Sequence, residues 1–154
     1  MKKDKIMFVC HGNICRSPMA QFVFSEIARR GGNASDFLVD SSAVSYEEID
    51  NPLYPPARRI LTEKGIPHFI THAKILERCD YEKYDFFIGM DSSNIRRMLS
   101  IFGADNDKKV HRLLDFTEEK RDVSDPYYTR NFEVVFDDIF LGCEALYNHL
   151  KALK

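Results

Sequence analysis

A cysteine and an arginine near the N-terminus have the chemistry of a nucleophile beside an anion clamp. Cys10 is followed six residues later by Arg16. The residues between them, whose backbone amides an anion would contact, are His11, Gly12, Asn13, Ile14 and Cys15. An ordinary thiol has a pKa of about 8.5, so a nucleophilic sulfur needs groups that stabilise the thiolate at neutral pH. The planar guanidinium of Arg16 supplies positive charge and matches two phosphate oxygens, so the pair indicates attack of sulfur on phosphorus.

The elements on either side of this pair favour an anion site. The apolar residues 6–9 predict a buried strand that ends at Cys10. Ser17 and Pro18 predict a helix start, with the serine as cap and the proline as the first helical residue. A loop at such a junction directs backbone N–H groups and the positive end of the helix dipole into one space, which suits phosphate.

The spacing of cysteine and arginine does not establish this chemistry by itself. A buried strand cysteine beside a structural arginine explains the pair equally well when the pair is taken alone. Among the four cysteines, only Cys10 has an arginine six positions on. The phosphate interpretation therefore depends on the strand, the loop and the helix start occurring together with the pair.

Composition and charge restrict the class of protein. The length of 154 residues predicts one domain, residues 1–154. The net charge of −2 argues against general binding to nucleic acid or to anionic membranes. The sequence has no apolar run of membrane-spanning length and no signal peptide at its start. Four widely spaced cysteines predict neither a disulfide framework nor a zinc site, so a reducing cytoplasm is the expected location.

The order of predicted elements is typical of an α/β fold. Strands are predicted over residues 6–9, 37–42, 84–90 and 110–114. Helices are predicted after Pro18, around Ile60, after Asp91 and along an apolar stripe over residues 132–150. Alternating strands and helices predict a parallel sheet with right-handed crossovers, and such sheets bind ligands at the carboxyl ends of their strands. Cys10 ends the first strand and is therefore expected at that edge.

Residues 9–18 read Val-Cys-His-Gly-Asn-Ile-Cys-Arg-Ser-Pro and closely resemble the signature loop of the low-molecular-weight protein tyrosine phosphatases. The chain length and the later run of Asp125, Pro126, Tyr127 and Tyr128 are also similar to that family. The similarity extends from about Lys5 to the C-terminus. The resemblance implies a single-domain α/β fold with a four-stranded parallel sheet flanked by helices, of the flavodoxin-like or phosphotyrosine phosphatase I-like type.

The resemblance also implies a mechanism without metal or cofactor. Cys10 attacks phosphorus to form a cysteinyl-phosphate, and Asp125 acts first as general acid and then as general base. Arg16 and the amides of residues 11–16 bind the phosphate oxygens, and the same loop binds phosphate, sulfate or vanadate. Asn13 and Ser17 brace the loop, although turn and cap bonding would also explain them. The expected substrates are phosphotyrosine proteins and small aryl phosphates.

The assignment of Asp125 comes from the resemblance, because local sequence alone favours an Asp-Pro turn. Asp125 is expected in a polar loop between the last strand and the last helix. As a general acid it predicts a bell-shaped rate profile with an acidic optimum.

Cys15 lies on the loop, and by resemblance it forms a reversible disulfide with Cys10 under peroxide. Packing of the loop explains Cys15 equally well. Cys79 and Cys143 are interpreted as structural.

The substrate pocket is predicted from the resemblance and from two departures. Tyr127 and Tyr128 form an aromatic wall beside a phenyl ring. The family often has an aromatic residue where this chain has Glu47, and here Tyr46 comes one position earlier. Thr129 replaces a glycine that is frequent in the family. These differences concern pocket shape, and an acidic Glu47 at the rim is expected to disfavour acidic substrate peptides.

Three alternatives remain at this point. A protein-arginine phosphatase is disfavoured because Ile14 stands where relatives acting on phosphoarginine resemble one another in carrying threonine. An arsenate reductase of similar fold requires two further, closely spaced cysteines, and Cys79 has no such neighbour. A phosphate-binding adaptor without catalysis would not need Cys10, Arg16 and Asp125 together.

Overall fold

The computed structural model describes residues 2–154, and the strands of this range form one parallel sheet in the order β2-β1-β3-β4. The strands are β1 (Asp4–Cys10), β2 (Phe37–Ala43), β3 (Phe86–Gly89) and β4 (Val110–Arg112). The α-helices are α1 (Arg16–Arg30), α2 (Pro55–Glu63), α3 (Ser92–Phe102), α4 (Pro126–Thr129) and α5 (Phe132–Ala152). The predicted four-stranded parallel sheet flanked by helices is confirmed. Among residues 2–154, no helix has the length and apolar character that crossing a bilayer requires.

The alternation of side chains along β1 assigns Cys10 to one face of the sheet. Phe8 and Cys10 belong to the larger apolar cluster, which includes residues of α1 and α5. Met7 and Val9 belong to a second cluster with residues of β3 and α3. Because successive strand residues point to opposite faces, Cys10 lies on the α1 side of the sheet, where the chain turns from β1 into α1.

The start of α1 differs from the sequence prediction. The helix begins at Arg16, Cys15 takes the N-cap position without a side-chain cap, and Pro18 is the third helical residue. The predicted cap, Ser17, instead contacts Cys10 and Asn13 through its hydroxyl. Proline remains compatible with this position because the first-turn N–H groups have no intrahelical acceptor.

The third and fourth strands are shorter than predicted. Residues 84–90 were expected as a strand, and only Phe86–Gly89 pair as one. β4 ends at Arg112, and a 3₁₀ turn over Leu113–Phe116 follows. Leu113 and Leu114 are both buried. Consecutive residues of a strand point to opposite faces, so a strand covered on one side would bury only one of them. The turn lets both leucines enter the core beside α5.

A buried carboxylate on α1 predicts acid-dependent stability. Glu26 accepts hydrogen bonds of 2.7 Å from Arg29 and Arg30, and these bonds lower its pKa to about 2 despite its burial. A depressed folded-state pKa gives stabilisation that is complete above about pH 5 and is lost as the pH falls toward 2. Glu26→Gln is therefore expected to lower the free energy of unfolding by about 1–3 kcal/mol at pH 7, with the difference shrinking toward pH 3.

Urea unfolding of both proteins across this pH range measures the effect. Glu63→Gln is the matched control, because Glu63 is exposed on α2 and its neutralisation should change stability by no more than about 0.5 kcal/mol. A difference at pH 3 as large as that at pH 7 would contradict the prediction.

Candidate active site

The sulfur of Cys10 lies at the carboxyl end of β1, almost without solvent contact. Cys10 is 3 % exposed. The backbone N–H of Asn13 donates to its Sγ at 3.3 Å, and the Ser17 hydroxyl lies 3.1 Å from the same atom. Both contacts stabilise a sulfur anion, because each supplies a proton of partial positive charge.

Asn13 braces the 10–16 loop by contacts on three sides. Its backbone has a φ of 61°, a left-handed conformation that asparagine adopts more readily than most residues. Its side-chain Oδ1 accepts from the backbone N–H of Lys74 at 3.1 Å. Its Nδ2 donates to the hydroxyls of Ser17 at 2.7 Å and Ser41 at 3.0 Å. The predicted supporting role therefore has a geometric basis in one buried side chain.

The hydrogen bond from Asn13 orients the Ser17 hydroxyl toward Cys10. Ser17 accepts a proton from Asn13 Nδ2, so its own proton is left to donate. The nearer acceptor is Cys10 Sγ at 3.1 Å, and the carbonyl of Ser42 lies at 3.5 Å. With Cys10 as thiolate, Ser17 is the donor to it.

Arg16 is a buried guanidinium held by distant parts of the chain. Its Nη1 donates to Asp91 Oδ2 at 2.7 Å and to the carbonyl of Val123 at 2.9 Å, and its Nη2 lies 3.5 Å from Asp125 Oδ2. Burial acts to lower the pKa of Arg16, and the negative charges of Cys10, Asp91 and Asp125 outweigh that effect and raise it. The guanidinium thus stays charged, with its Nη1 side fixed and its Nη2 side facing Asp125.

Asp125 both begins a helix and faces the arginine. Its Oδ1 accepts from the backbone N–H of Tyr127 at 2.9 Å, which makes it the N-cap of α4 rather than a residue of an open loop. Its Oδ2 is the atom that contacts Arg16, and the side chain is 30 % exposed. The Asp-Pro turn favoured by local sequence and the site role implied by the resemblance are therefore compatible.

The exposed rim of the site carries tyrosines and one ion pair. Tyr127 and Tyr128 are 73 % and 80 % exposed and pack edge to face, with ring centroids 5.1 Å apart. Tyr46 is 76 % exposed on the loop that follows β2. The carboxylate of the neighbouring Glu47 lies 3.1 Å from His11 Nε2, and this contact links the loop after β2 to the 10–16 loop.

The other cysteines differ sharply from Cys10. Burial raises the pKa of Cys15, and the charge of Cys10 raises it further, so Cys15 is a protonated thiol beside the site. Its disulfide with Cys10 stays a prediction. Cys143 is buried against the carbonyl of Ala20, and burial raises its pKa, which fits a structural side chain. Cys79 is exposed.

Sequence reasoning missed two members of the site. Asp91 was interpreted only as the start of a helix, and it caps α3 through Oδ1 while its Oδ2 binds Arg16. Ser41 accepts from Asn13 and donates to Gln21. Asp91 was detectable, because it follows β3 and parallel strands bring their carboxyl ends to one edge. Over residues 2–154, His, Cys, Asp and Glu side chains form no group of three or more that would hold a metal ion.

Comparison with known proteins identifies relatives over nearly the full length. Residues 5–154 match the family described as low molecular weight phosphotyrosine protein phosphatase. The low molecular weight protein-tyrosine-phosphatase YfkJ of Bacillus subtilis is 39 % identical over 143 residues, which are 92 % of each chain. PtpA of Staphylococcus aureus, of the same description, is 33 % identical over 94 % of this chain and 92 % of its own. The crystal structure of YfkJ superposes with a TM-score of 0.95 over 100 % of this chain and 98 % of that one, at 36 % identity.

Proposed function

The chain belongs to the low molecular weight phosphotyrosine protein phosphatase family, a family of cysteine-dependent phosphatases, and on that premise we propose that it hydrolyses phosphotyrosine in protein substrates, and small aryl phosphates, through a cysteinyl-phosphate. The observation that supports this most directly is the convergence of three side chains. The Arg16 guanidinium lies 3.5 Å from Asp125, and the negative charges of Cys10 and Asp125 both raise the pKa of Arg16, so the arginine interacts with both side chains.

In the first step the Cys10 thiolate attacks phosphorus in line with the departing aryl oxygen. The sulfur–phosphorus bond forms, the phosphorus–oxygen bond breaks, and Asp125 donates its proton to the phenolate. Arg16 and the amides of the 10–16 loop bind the three equatorial oxygens, where negative charge is concentrated. Ser17, which donates to the sulfur, stabilises the thiolate before attack.

In the second step water replaces the sulfur. Asp125, now a carboxylate, accepts a proton from the attacking water, and the phosphorus–sulfur bond breaks to release inorganic phosphate. The thiolate leaves with its charge restored, and the Ser17 hydroxyl and the Asn13 N–H lie within hydrogen-bond distance of it. The enzyme returns to its starting state with no change in oxidation state.

A comparison of three substrates tests the proposal against its alternatives. We expect turnover of a phosphotyrosine peptide to exceed turnover of the matched phosphoarginine peptide, because Ile14 offers no hydroxyl to the guanidino group. Arsenate-dependent oxidation of thioredoxin should be absent, since Cys79 is the only cysteine between residues 16 and 142 and has no neighbouring thiol. Faster turnover of phosphoarginine would favour a protein-arginine phosphatase instead, and arsenate-dependent oxidation of thioredoxin would favour an arsenate reductase.

Asp91 gives a prediction about the positioning of Arg16. Asp91→Asn keeps the cap of α3 but weakens a charge-assisted hydrogen bond to the guanidinium. We expect kcat/KM for p-nitrophenyl phosphate to fall about tenfold, and phosphate inhibition to weaken with it. The melting temperature, measured in parallel, should change little because asparagine also caps helices well. An unchanged kcat/KM would show that the carbonyl of Val123 suffices to hold Arg16.

Glu47 gives a prediction about peptide preference. Its carboxylate is 72 % exposed at the rim and should repel acidic residues that flank phosphotyrosine. Glu47→Lys is expected to raise the ratio of kcat/KM for an acidic peptide to kcat/KM for a basic peptide about three- to tenfold in low salt. The increase should be smaller in high salt, which screens the charge. Glu144→Lys, an exposed change of the same charge on α5, is the control. Equal preference in wild type and Glu47→Lys would refute the role of this carboxylate.

A further inference from the structure

A cavity of about 300 Å³ lies on the face of the sheet opposite to the Cys10 side chain. Met7 of β1 and Ser42 of β2 line it, together with residues 49–50, 73–75 and acidic side chains beyond them. Ser41 points toward α1 and Asn13, so the next residue, Ser42, points to the other face. The volume is at the lower limit of small-molecule sites, so an occupant would be small.

The hydroxyl of Ser42 is an unpartnered polar group in this cavity. Ser42 is 1 % exposed, and among residues 2–154 its Oγ has no hydrogen-bond partner. Burying a hydroxyl without a partner is unfavourable, and natural proteins do so rarely. A ligand that donates a hydrogen bond to this oxygen would relieve the cost.

The charge of the cavity lining is negative. Lys74 is the only cation among the lining residues, and its Nζ lies 2.5 Å from Asp40 Oδ2, so its charge is already paired. The same Asp40 oxygen accepts a hydrogen bond from the Tyr84 hydroxyl at 3.0 Å. The remaining charged lining residues are Asp50, Glu77 and Asp80. Within residues 2–154 the carboxylate of Asp50 forms no hydrogen bond or salt bridge, so its charge is uncompensated by a direct contact.

The cavity wall is connected to the 10–16 loop through one residue. The backbone N–H of Lys74 donates to Asn13 Oδ1 at 3.1 Å, and its carbonyl accepts from Ala43 at 2.8 Å. The N–H of Asp50 donates to the carbonyl of Ala73 at 2.8 Å. A continuous path of backbone hydrogen bonds therefore connects Asp50, through the 73–74 segment, to the asparagine that braces the loop.

We propose that this cavity is a second binding site, for a small organic cation, and that its occupancy changes the anion affinity of the 10–16 loop. The ligand carries a primary ammonium on a compact apolar group. The ammonium pairs with Asp50 and donates to Ser42 Oγ, while the apolar group contacts the Met7 side of the cavity. The binding part stands without the proposed function, and the coupling part rests on the loop being a phosphate site.

Benzylammonium is the probe. It is titrated into the ¹⁵N-labelled protein, and changes in the amide chemical shifts show which residues it contacts. We expect saturable shifts at residues 49–50 and 73–75 below about 10 mM, with benzyl alcohol, of nearly the same shape, far weaker. Asp50→Asn is expected to weaken binding about tenfold, and asparagine suits the φ of 69° at this position. Asp137→Asn, an exposed change of the same kind on α5, should leave binding unchanged.

Ser42→Ala is a second variant, and it separates loss of binding from loss of stability. Removal of an unpartnered hydroxyl should leave the melting temperature equal or higher, while benzylammonium binding weakens several-fold. Absence of shifts at about 10 mM, shifts confined to the tyrosine rim, or shifts unaffected by Asp50→Asn would each overturn the site.

Coupling is measured as the dissociation constant of inorganic phosphate with and without saturating benzylammonium. We expect a change of at least about threefold, and by linkage phosphate must change benzylammonium affinity by the same factor. An unchanged phosphate affinity would overturn the proposed coupling but would not affect the proposed binding site. If phosphate failed to bind the loop at all, the proposed function would fail while the amide shifts at residues 49–50 still decided the cavity.

Discussion

Cys10→Ser is expected to lower the hydrolysis of p-nitrophenyl phosphate by at least about 10⁴-fold while inorganic phosphate still binds. A serine hydroxyl in this position remains protonated, because the Asn13 N–H and the Ser17 hydroxyl are too few donors to ionise an alcohol. In the proposed binding mode, Arg16 and the loop amides hold the phosphate, and the substitution leaves them in place. Steady-state rates and phosphate binding by calorimetry measure the two quantities.

The matched control for this experiment is Cys79→Ser. Cys79 is exposed in the turn over Arg78–Glu82, away from the carboxyl edge of the sheet, so the rate should stay within about twofold of wild type. Trapping of ³²P on the wild-type protein by rapid acid quench, and its loss in Cys10→Ser, would identify the intermediate. Retention of more than about 1 % of the rate in Cys10→Ser would be incompatible with a sulfur nucleophile.

Asp125→Asn is expected to lower kcat by about 10²- to 10⁴-fold for substrates with poor leaving groups. Asparagine can still accept from the Tyr127 N–H, so the cap of α4 remains and only the proposed proton donor is lost. Phenyl phosphate should lose more rate than p-nitrophenyl phosphate, because nitrophenolate leaves readily without a proton. The ratio of the two rates therefore separates loss of general acid from misfolding.

The pH profile gives an independent test of the same residue. The wild-type rate should have a bell-shaped pH profile with an acidic optimum, as expected for general acid catalysis, and the alkaline limb should flatten in Asp125→Asn. Asp137→Asn keeps the charge change but lies on α5, so its profile should match wild type. A wild-type profile that is flat from about pH 5 to 8, or equal losses for both leaving groups, would remove Asp125 from this role.

Local sequence predicted the part of the site that is built locally. The apolar run of β1, the tight loop and the helix that follows it occupy consecutive residues, so turn chemistry and periodicity were sufficient to predict them. The hydroxyl of Ser17 was misassigned as a cap because a helix-start pattern does not reveal a competing partner such as Cys10. The assignment of Asp125 as general acid came from the family resemblance rather than from any local pattern, and it stays a prediction.

The contacts that hold Arg16 could not be predicted from neighbouring residues. Asp91 is 75 positions and Val123 is 107 positions from Arg16 in the chain, so only the tertiary fold brings them together. The end of β4 was misjudged for a related reason. Leu113 and Leu114 are consecutive and both buried, and this outcome depends on how α5 covers them.

The distance in sequence between Arg16 and Asp125 has a consequence for synthesis. Cys10 and the 10–16 loop leave the ribosome first, whereas Asp125, 109 positions after Arg16, is translated much later. A nascent chain that carries Cys10 and Arg16 therefore lacks the residue that we propose as the proton donor. On the proposed mechanism, phosphatase turnover therefore begins only when translation of the chain is nearly finished.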